Sequence, residues 1–472
     1  MSKKKNKSKM SFMKYLSIFL LIVSVLILVL VYFINVLPMD YFIVLLVLVL
    51  LVDLIVIKLL LCKGVIRNVI GVLLSIILII IMVFGITYEL NTIDFLKQLG
   101  FNTYKEENFN ILVLKDSEYN DLNNLNNKVI GHLDNNLHIG VNKTIKKIEK
   151  DIDFDSKILV DINELVNSLL NREVDAIILE DAQISMLKED NNDLFNNIKI
   201  LSTFNIDTEI KNEKENIDIT NDSYNILITG VDTYGNITKV SRSDVNMVIS
   251  VNPKDNKILI TSIPRDYYVY LSDFSSYDKL THAGIYGIET SIKAVEDLLD
   301  IDINYYIKVN FTTLIDIIDL LGGIEIDSNY EFTSIDGYHY NKGINYLNGE
   351  EALSFARERK AFSDGDRIRI KNQQLVLKTI INKLLSSKII TNYNNLLNSL
   401  NNKFLTNMTD EELTKLIKWQ IDGMYSWDIL NISLNGTDDY QYTYSYQKQL
   451  LYVMMPDKES VNNAKEKINS IM

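Results

Sequence analysis

Between Tyr15 and Leu37 the chain has no charged residue, and the same holds from Asn68 to Thr87. Runs of about 20 apolar residues are what a hydrocarbon core requires of a spanning helix, and a water-soluble fold has no use for two of them. Between them, Tyr41 to Cys62 is apolar apart from Asp53 and Lys58, and Pro38-Met39-Asp40 supplies a tight break. Three spans are therefore predicted within residues 1–88. The first run is too long for the apolar region of a signal peptide, and no small-x-small cleavage site follows it. Lys3, Lys4, Lys5, Lys7 and Lys9 precede the first span, and Lys58, Lys63 and Arg67 lie where the second meets the third. Basic residues stay on the cytoplasmic side. With an odd number of spans, everything after Glu89 is then delivered to the outer face. Asp53 and Lys58 read as a hydrated pair in the cytoplasmic half, with Lys58 reaching toward the headgroups. Cys62 reads as an apolar filler, with acylation as the alternative.

The rest of the composition narrows the function. With 48 Lys+Arg against 61 Asp+Glu the formal net charge is -13, so there is no positive field to recruit a polyanion, and nucleic acid is excluded as a partner. A single cysteine and four histidines, His132, His138, His282 and His339, exclude a disulfide framework and leave little for a histidine-rich metal centre.

Outside the membrane, residues 89–220 are predicted to form a small α/β accessory domain. Ile111 to Leu114, Lys128 to Asp134 and Val174 to Leu179 read as strands, and Asp161 to Asn171 as a helix. The order weakly resembles half of a periplasmic solute-binding fold; a plain structural spacer is the simpler reading. The charged, aperiodic stretch from Asn205 to Asp222 is predicted to be the linker. Residues 221–472 then show short apolar strands at Tyr224, Val245, Lys257 and Tyr305, alternating with helical periodicity at Glu289–Leu299, Thr312–Leu321, Glu350–Arg357 and Asp366–Leu385. This is an α/β/α domain with a mixed central sheet covered on both faces. Gly322-Gly323 ends one of the helices.

Arginine occurs at only eight positions, and six of them fall between Arg242 and Arg369. Lysine supplies the positive charge elsewhere, so these positions need the planar fork that matches phosphate oxygens bidentately. The alternative is that they pair with Asp and Glu to knit the fold. Asp232 follows the first strand and Arg242-Ser243-Asp244 opens the next, which puts both carboxylates at one end of adjacent strands. Two hard carboxylates without histidine or cysteine suit Mg2+ or Mn2+. Ile263-Pro264-Arg265-Asp266 leaves a third strand, and Asp366, Arg369 and Gln373 share one helix face. Arg357 and Arg359 both face one ligand only if their helix ends near Arg357. Together with Lys279, these arginines and a divalent ion suffice to hold a diphosphate.

The segments "NILITGVD", "SRSD", "ITSIPRDYYV", "DKLTHAGIYG", "LLGGIEI", "LNGEEALSFARERK" and "GDRIRIKNQQ" resemble, in order, the motifs of the LytR-CpsA-Psr family. That family attaches anionic glycopolymers such as teichoic acids and capsules to the wall of Gram-positive bacteria, using a polyprenyl-pyrophosphate-linked glycan as donor and the C6 hydroxyl of muramic acid in peptidoglycan as acceptor. The resemblance implies Asp232 and Asp244 as metal ligands, and Arg242, Arg265, Lys279, Arg357, Arg359, Arg369 and Gln373 around the pyrophosphate. The sequence departs from the family at Thr281, Ile288 and Phe355, and nothing carries over to 392–472.

The reading is a metal-dependent phosphotransferase anchored in the plasma membrane of a Gram-positive-type bacterium. It moves a glycan 1-phosphate to peptidoglycan and releases polyprenyl phosphate, with Arg265 in a catalytic role and Asp266 as candidate base. An apolar cavity for the lipid is expected among Val295, Leu298, Leu314, Ile317 and Leu375, residues that serve equally as core. The rival readings are a non-catalytic lipid-binding or regulatory envelope protein and a pyrophosphatase acting on the same lipid.

Overall fold

The computed structural model describes residues 2–34, 39–62, 64–99, 104–133, 139–190, 192–209, 217–232, 234, 237, 241–386 and 404–472. Pro38, Lys63, His138 and positions 210–216 of the expected linker lie outside the described residues.

Two compact units emerge. The first contains α1 (Ser2–Ile34), α2 (Met39–Leu61) and α3 (Val65–Leu99). Each includes a window long and apolar enough to cross a membrane, at Phe12–Tyr32, Met39–Leu61 and Val65–Ile86. The helices meet around Leu20, Val56 and Leu60 and around Val23, Val49 and Met82, while residues such as Leu54, Ile55 and Ile77 stay outward. Apolar side chains turned outward suit lipid, not water. The expected hydrated pair is not there. Asp53 is 1% exposed, on the inward stripe with Val49, Val56 and Leu60, whereas Lys58, five residues on, is exposed. The helical period puts the two on different faces.

Among the described residues the second unit holds a five-stranded sheet, a six-stranded sheet and four two-stranded ones. Strands β1 (Tyr104–Leu114), β2 (Lys128–Leu133), β3 (Phe154–Leu159), β4 (Ala176–Glu180) and β5 (Ile198–Glu209) line up as β3-β2-β4-β1-β5. Helices α4 (Ile139–Ile148), α5 (Ile162–Leu170) and α6 (Asp181–Asp190) belong to this sheet. β4 is buried along its whole length, because apolar side chains cover it on both faces. Asp161 caps α5 by accepting the Glu164 N–H at 3.0 Å. β5 pairs with β1 as far as Glu209 opposite Tyr104, so the first part of the expected linker is strand.

The second sheet is built from β6 (Tyr224–Val231), β7 (Val245–Asn252) and β8 (Lys257–Ile263), followed by the hairpin β9 (Tyr268–Leu271) and β10 (Ser276–Lys279). After α7 (Leu280–Ala283) and α8 (Ile288–Leu299) come β11 (Tyr305–Asn310) and α9 (Phe311–Leu320). Two short hairpins, β12 (Ile324–Ser328) with β15 (Gly343–Leu347) and β13 (Phe332–Thr333) with β14 (His339–Tyr340), lead into α10 (Gly349–Arg357) and α11 (Gly365–Leu384). Downstream lie β16 (Leu405–Thr406), β17 (Asp428–Ser433), β18 (Gly436–Tyr442) and β19 (Leu450–Pro456). The order is β16-β11-β6-β7-β8-β17, with β11/β6 and β8/β17 parallel and the other pairs antiparallel. The mixed central sheet is as expected.

Alternation along each strand divides the two faces. Leu227, Val248 and Leu259 turn to α8 and to the helix Lys458–Ile471, packing with Val295, Leu299 and Ile468. Ile228 and Met247 turn the other way, toward α9, α10 and α11. At the end of α9, Gly322 and Gly323 have φ of +72° and +78°, which close the helix as a glycine cap does. A Cβ on Gly323 would meet the Leu347 carbonyl oxygen at 2.8 Å. The first sheet shares apolar packing with the later part of this unit, since Ile285, after α7, and Tyr446 and Leu451, of the β18–β19 hairpin, join the cluster of Leu165, Val166 and Leu169. The accessory part is thus not a bead on a string.

Candidate active site

The ends of β6, β7 and β8 converge on one opening. Asp244 is fixed there by its own N–H, which donates to the Gly230 carbonyl at 2.8 Å, so Asp232 and Asp244 leave adjacent strands at the same end. Both line a cavity of about 400 Å³. Its depth is apolar, walled by Ile228, Met247, Leu314, Leu353, Val376 and Ile380. Its mouth carries Arg242, Arg265, Arg357, Arg359, Arg369 and Gln373.

Each arginine is placed by an identifiable local device. Arg242 belongs to a segment held against α7: the Ser243 N–H donates to the Thr281 carbonyl at 3.1 Å, and a Cβ on Gly284 would come within 2.5 Å of Ser243 Oγ. Arg265 follows Pro264, which stops β8, and its Nη1 lies 2.7 Å from Asp244 Oδ1. Burial opposes its charge, yet Asp244 and Asp266 hold the guanidinium above its ordinary pKa. α10 ends at Arg357 because Glu358 turns extended, at φ -65° and ψ 128°. The buried Glu358 carboxylate accepts from the Ile335 N–H at 2.7 Å and the Ala361 N–H at 2.9 Å, and this clamp leaves the residues on either side, Arg357 and Arg359, facing the mouth. Arg357 lies over the Phe311 ring at 4.3 Å and 3.7 Å from Asp232 Oδ1. Arg369, on α11, reaches Asp366 Oδ1 at 3.1 Å. Burial lowers its pKa, and Asp366 offsets only part of that. Its Nε is buried and makes no hydrogen bond. A guanidinium with an unmade donor is a demand for an acceptor.

Two expected residues sit off the cavity. Asp266 accepts from Arg265 Nε at 3.4 Å and from Lys279 Nζ at 3.2 Å, and Lys279 lies over the Tyr452 ring at 5.8 Å. Asp266 lines a smaller cleft with Asp366 and Tyr452, on the far side of a partition made by Asp244, Arg265, Arg369 and Gln373, which line both openings. With both oxygens engaged by cations, Asp266 has the geometry of an anchor more than of a base. Of the expected lipid-lining residues, only Leu314 lines the cavity. Val295 and Leu298 pack on the opposite face of the sheet, because they come from α8; Ile317 and Leu375 are half-buried away from the cavity lining.

Among the described residues no group of three His, Cys, Asp or Glu side chains forms a metal cage. The donor set nevertheless fits a hard divalent ion, since Asp232 and Asp244 both front the cavity and are oxygen-only ligands that leave further positions to phosphate and water. The sequence reading missed Asp278. Fully buried, it accepts from the Lys279 N–H, from His282 Nδ1 (2.7 Å each), and from the N–H and hydroxyl of Ser445 at 2.8 and 2.5 Å. Alternation in β10 turns Asp278 inward; its partner Ser445 comes from the tail that carried no motif.

Comparison with known proteins gives one consistent picture. The model of the LytR_cpsA_psr family matches residues 194–467. A Bacillus cereus (strain AH820) protein named polyisoprenyl-teichoic acid–peptidoglycan teichoic acid transferase TagU is 36% identical over 212 residues, which is 45% of this chain and 69% of that protein. Its namesake from Bacillus subtilis (strain 168) is 35% identical over 221 residues, 47% of this chain and 70% of the relative. The crystal structure of B. subtilis TagU is 30% identical, with a TM-score of 0.42 over 53% of this chain and 96% of that one.

Proposed function

The chain belongs to the LytR-CpsA-Psr family, and from that premise we propose that it is a transferase that moves a glycan 1-phosphate from a polyprenyl diphosphate carrier to the muramic acid C6 hydroxyl of peptidoglycan. The observation that carries this reading is the continuity of one cavity from an apolar depth to a mouth of arginines. A long isoprenoid needs the first and a diphosphate the second, and no water-soluble phosphate ester needs both.

In this reading the acceptor oxygen attacks the phosphorus that bears the glycan and the P–O–P bond breaks. Polyprenyl phosphate leaves, and the hydroxyl proton passes to a carboxylate or water. Arg357, Arg359 and Arg369 hold the diphosphate, with Arg357 kept flat by Phe311; Arg242 and Gln373 close the mouth. Arg265, tied to Asp244 and Asp266, holds a fixed positive charge where charge builds up in the transition state. Asp232 and Asp244 would hold Mg2+ or Mn2+, and such an ion would neutralise part of the charge on the diphosphate. Lys279 supports the site through Asp266. The anchor helices and the basic residues at their cytoplasmic ends support an extracellular location for the site, where peptidoglycan is.

The deciding experiment incubates the purified full chain in detergent with lipid-linked donor and peptidoglycan. The expected product is glycan covalently joined to the wall polymer. Release of glycan 1-phosphate to water alone would mean a pyrophosphatase, and no product at all a lipid-binding protein.

A further inference from the structure

We propose that the exposed face of the two tyrosine-bearing hairpins, β9–β10 and β18–β19, is the platform on which the sugar backbone of the acceptor glycan strand lies. This rests on the transfer reaction proposed above.

The two faces of each hairpin differ sharply. In β9–β10, Val269, Leu271 and Asp278 are buried. The alternate positions Tyr268, Tyr270, Tyr277 and Lys279 turn outward, Tyr270 being 40% and Tyr277 48% exposed. Tyr277 stands directly opposite Tyr270, and its ring centroid is 5.2 Å from both Tyr268 and Tyr270. In β18–β19, Leu451 and Val453 are buried, while Tyr440 at 62% and Tyr442 at 56% are exposed. Tyr440 pairs with Tyr452 across the strands, centroids 6.1 Å apart. The hairpins are joined edge to edge. The Met454 N–H donates to the Asp266 carbonyl at 2.7 Å, the Tyr444 N–H to the Tyr277 carbonyl at 2.8 Å, and the Tyr268 hydroxyl to the Tyr442 carbonyl at 2.8 Å.

Cross-strand aromatic pairing alone would explain one tyrosine pair. It does not explain why the outward faces of both hairpins are rich in tyrosine, with the exposed Leu450 opposite Tyr442, nor where that face leads. Tyr452 is the link: it lines the smaller cleft beside Asp266 and Asp366, and Lys279 lies over its ring. The surface therefore runs up to Arg265 and Arg369, which line both this cleft and the larger cavity.

In-line displacement requires the attacking oxygen to approach opposite the leaving group. With polyprenyl phosphate leaving into the apolar cavity, the acceptor must enter through the cleft, so the platform serves the acceptor and not the donor. Its chemistry matches. A pyranose ring offers an apolar face of C–H bonds and a rim of hydroxyls, and tyrosine offers an apolar ring with a polar tip, which binds at wet interfaces where charge pairing alone gives no shape.

The test uses the detergent-solubilised full chain and soluble glycan strands of alternating N-acetylglucosamine and N-acetylmuramic acid. Variants are Tyr270→Leu with Tyr277→Leu, which keep apolar cover on the hairpin, Tyr440→Ala, and the corresponding Phe variants. Expected are about tenfold weaker strand binding without donor and an equal rise in acceptor KM. Unchanged kcat, donor KM and melting temperature, with the Phe variants close to wild type, complete the expected pattern. Unchanged strand binding overturns the proposal, as does a rise in donor KM alone, which would give the platform to the donor glycan. If the wild type transfers nothing yet binds strands through these tyrosines, the proposed reaction fails and the platform stands.

Discussion

Arg265 Nη1 lies 2.7 Å from Asp244 Oδ1, in the partition between the larger cavity and the smaller cleft. The same carboxylate faces the cavity as a candidate metal ligand. One side chain thus serves two positive partners, a fixed guanidinium and an exchangeable ion. Asp232 carries a looser tie, 3.7 Å to Arg357, with both side chains more than 40% exposed.

Asp244→Ala should therefore do more damage than Asp232→Ala. Loss of a metal carboxylate weakens affinity strongly, and here it also leaves the half-buried Arg265 without its nearest counter-charge. We expect transfer at limiting Mg2+ to fall about 100-fold or more, with a lowered melting temperature for Asp244→Ala only. An unaltered Mg2+ titration in both variants would sink the metal role.

Arg357→Lys tests the fork. The ion pair with Asp232 is exposed and of the kind that contributes about 0 to 1 kcal/mol, so stability should hardly move. Loss of one preorganised donor to developing charge costs about 10² to 10³ in rate. Activity that falls only in proportion to stability would return Arg357 to a structural role.

Leu314→Trp fills the apolar depth of the cavity from α9. Donor KM should rise and co-purifying polyprenyl lipid should disappear, while far-ultraviolet dichroism stays that of the wild type. Retention of lipid at wild-type stoichiometry counts against this cavity as the tail site.

Gly284→Ala pushes a methyl group to within 2.5 Å of Ser243 Oγ and 2.8 Å of the Ser241 carbonyl. Overpacking of this kind costs about 1 to 3 kcal/mol, and the displaced segment carries Arg242. Calorimetry should show a lower melting temperature and donor titration a raised KM; a silent substitution would mean that Arg242 is not positioned from α7.

Sidedness can be checked at Glu331, an exposed residue well away from the membrane helices in sequence. In a Cys62→Ser background, Glu331→Cys should react with an impermeant thiol reagent in intact cells. Labelling only after lysis would reverse the proposed orientation.

How much could be read beforehand follows from the range over which each signal acts. Strand ends and the face shared by Asp366, Arg369 and Gln373 depend on neighbours a few residues apart, and the sequence shows them; the arrest of α10 at Arg357 also draws on the Ile335 N–H, 23 residues from the Glu358 that it holds. The cavity wall does not work that way. Periodicity identifies Val295 and Leu314 equally as apolar faces, but only the strand order decides that α8 covers one side of the sheet and α9 the other. Asp278 and Tyr452 escaped for a related reason: their partners or neighbours in space, Ser445 for the one and Lys279 for the other, are more than 160 residues away in the chain. Asp53 was misjudged because helical phase, more than depth, put it inside.

The parallel pairing of β8 with β17 (Lys257 opposite Asp428) also has a bearing on how the protein is made. During synthesis, β8 must wait with a bare edge until β17 has been made. The Gln374 amide then donates to the Ile432 carbonyl at 2.6 Å, tying α11 to the late strand. A chain interrupted by a nonsense codon between these strands would keep its three apolar helices yet lack both the edge strand β17 and the hairpin that reaches Asp266. Synthesis in this order makes the cleft beside Asp266, to which Tyr452 and Met454 contribute, the last part of the site to be completed, after every residue that lines the larger cavity.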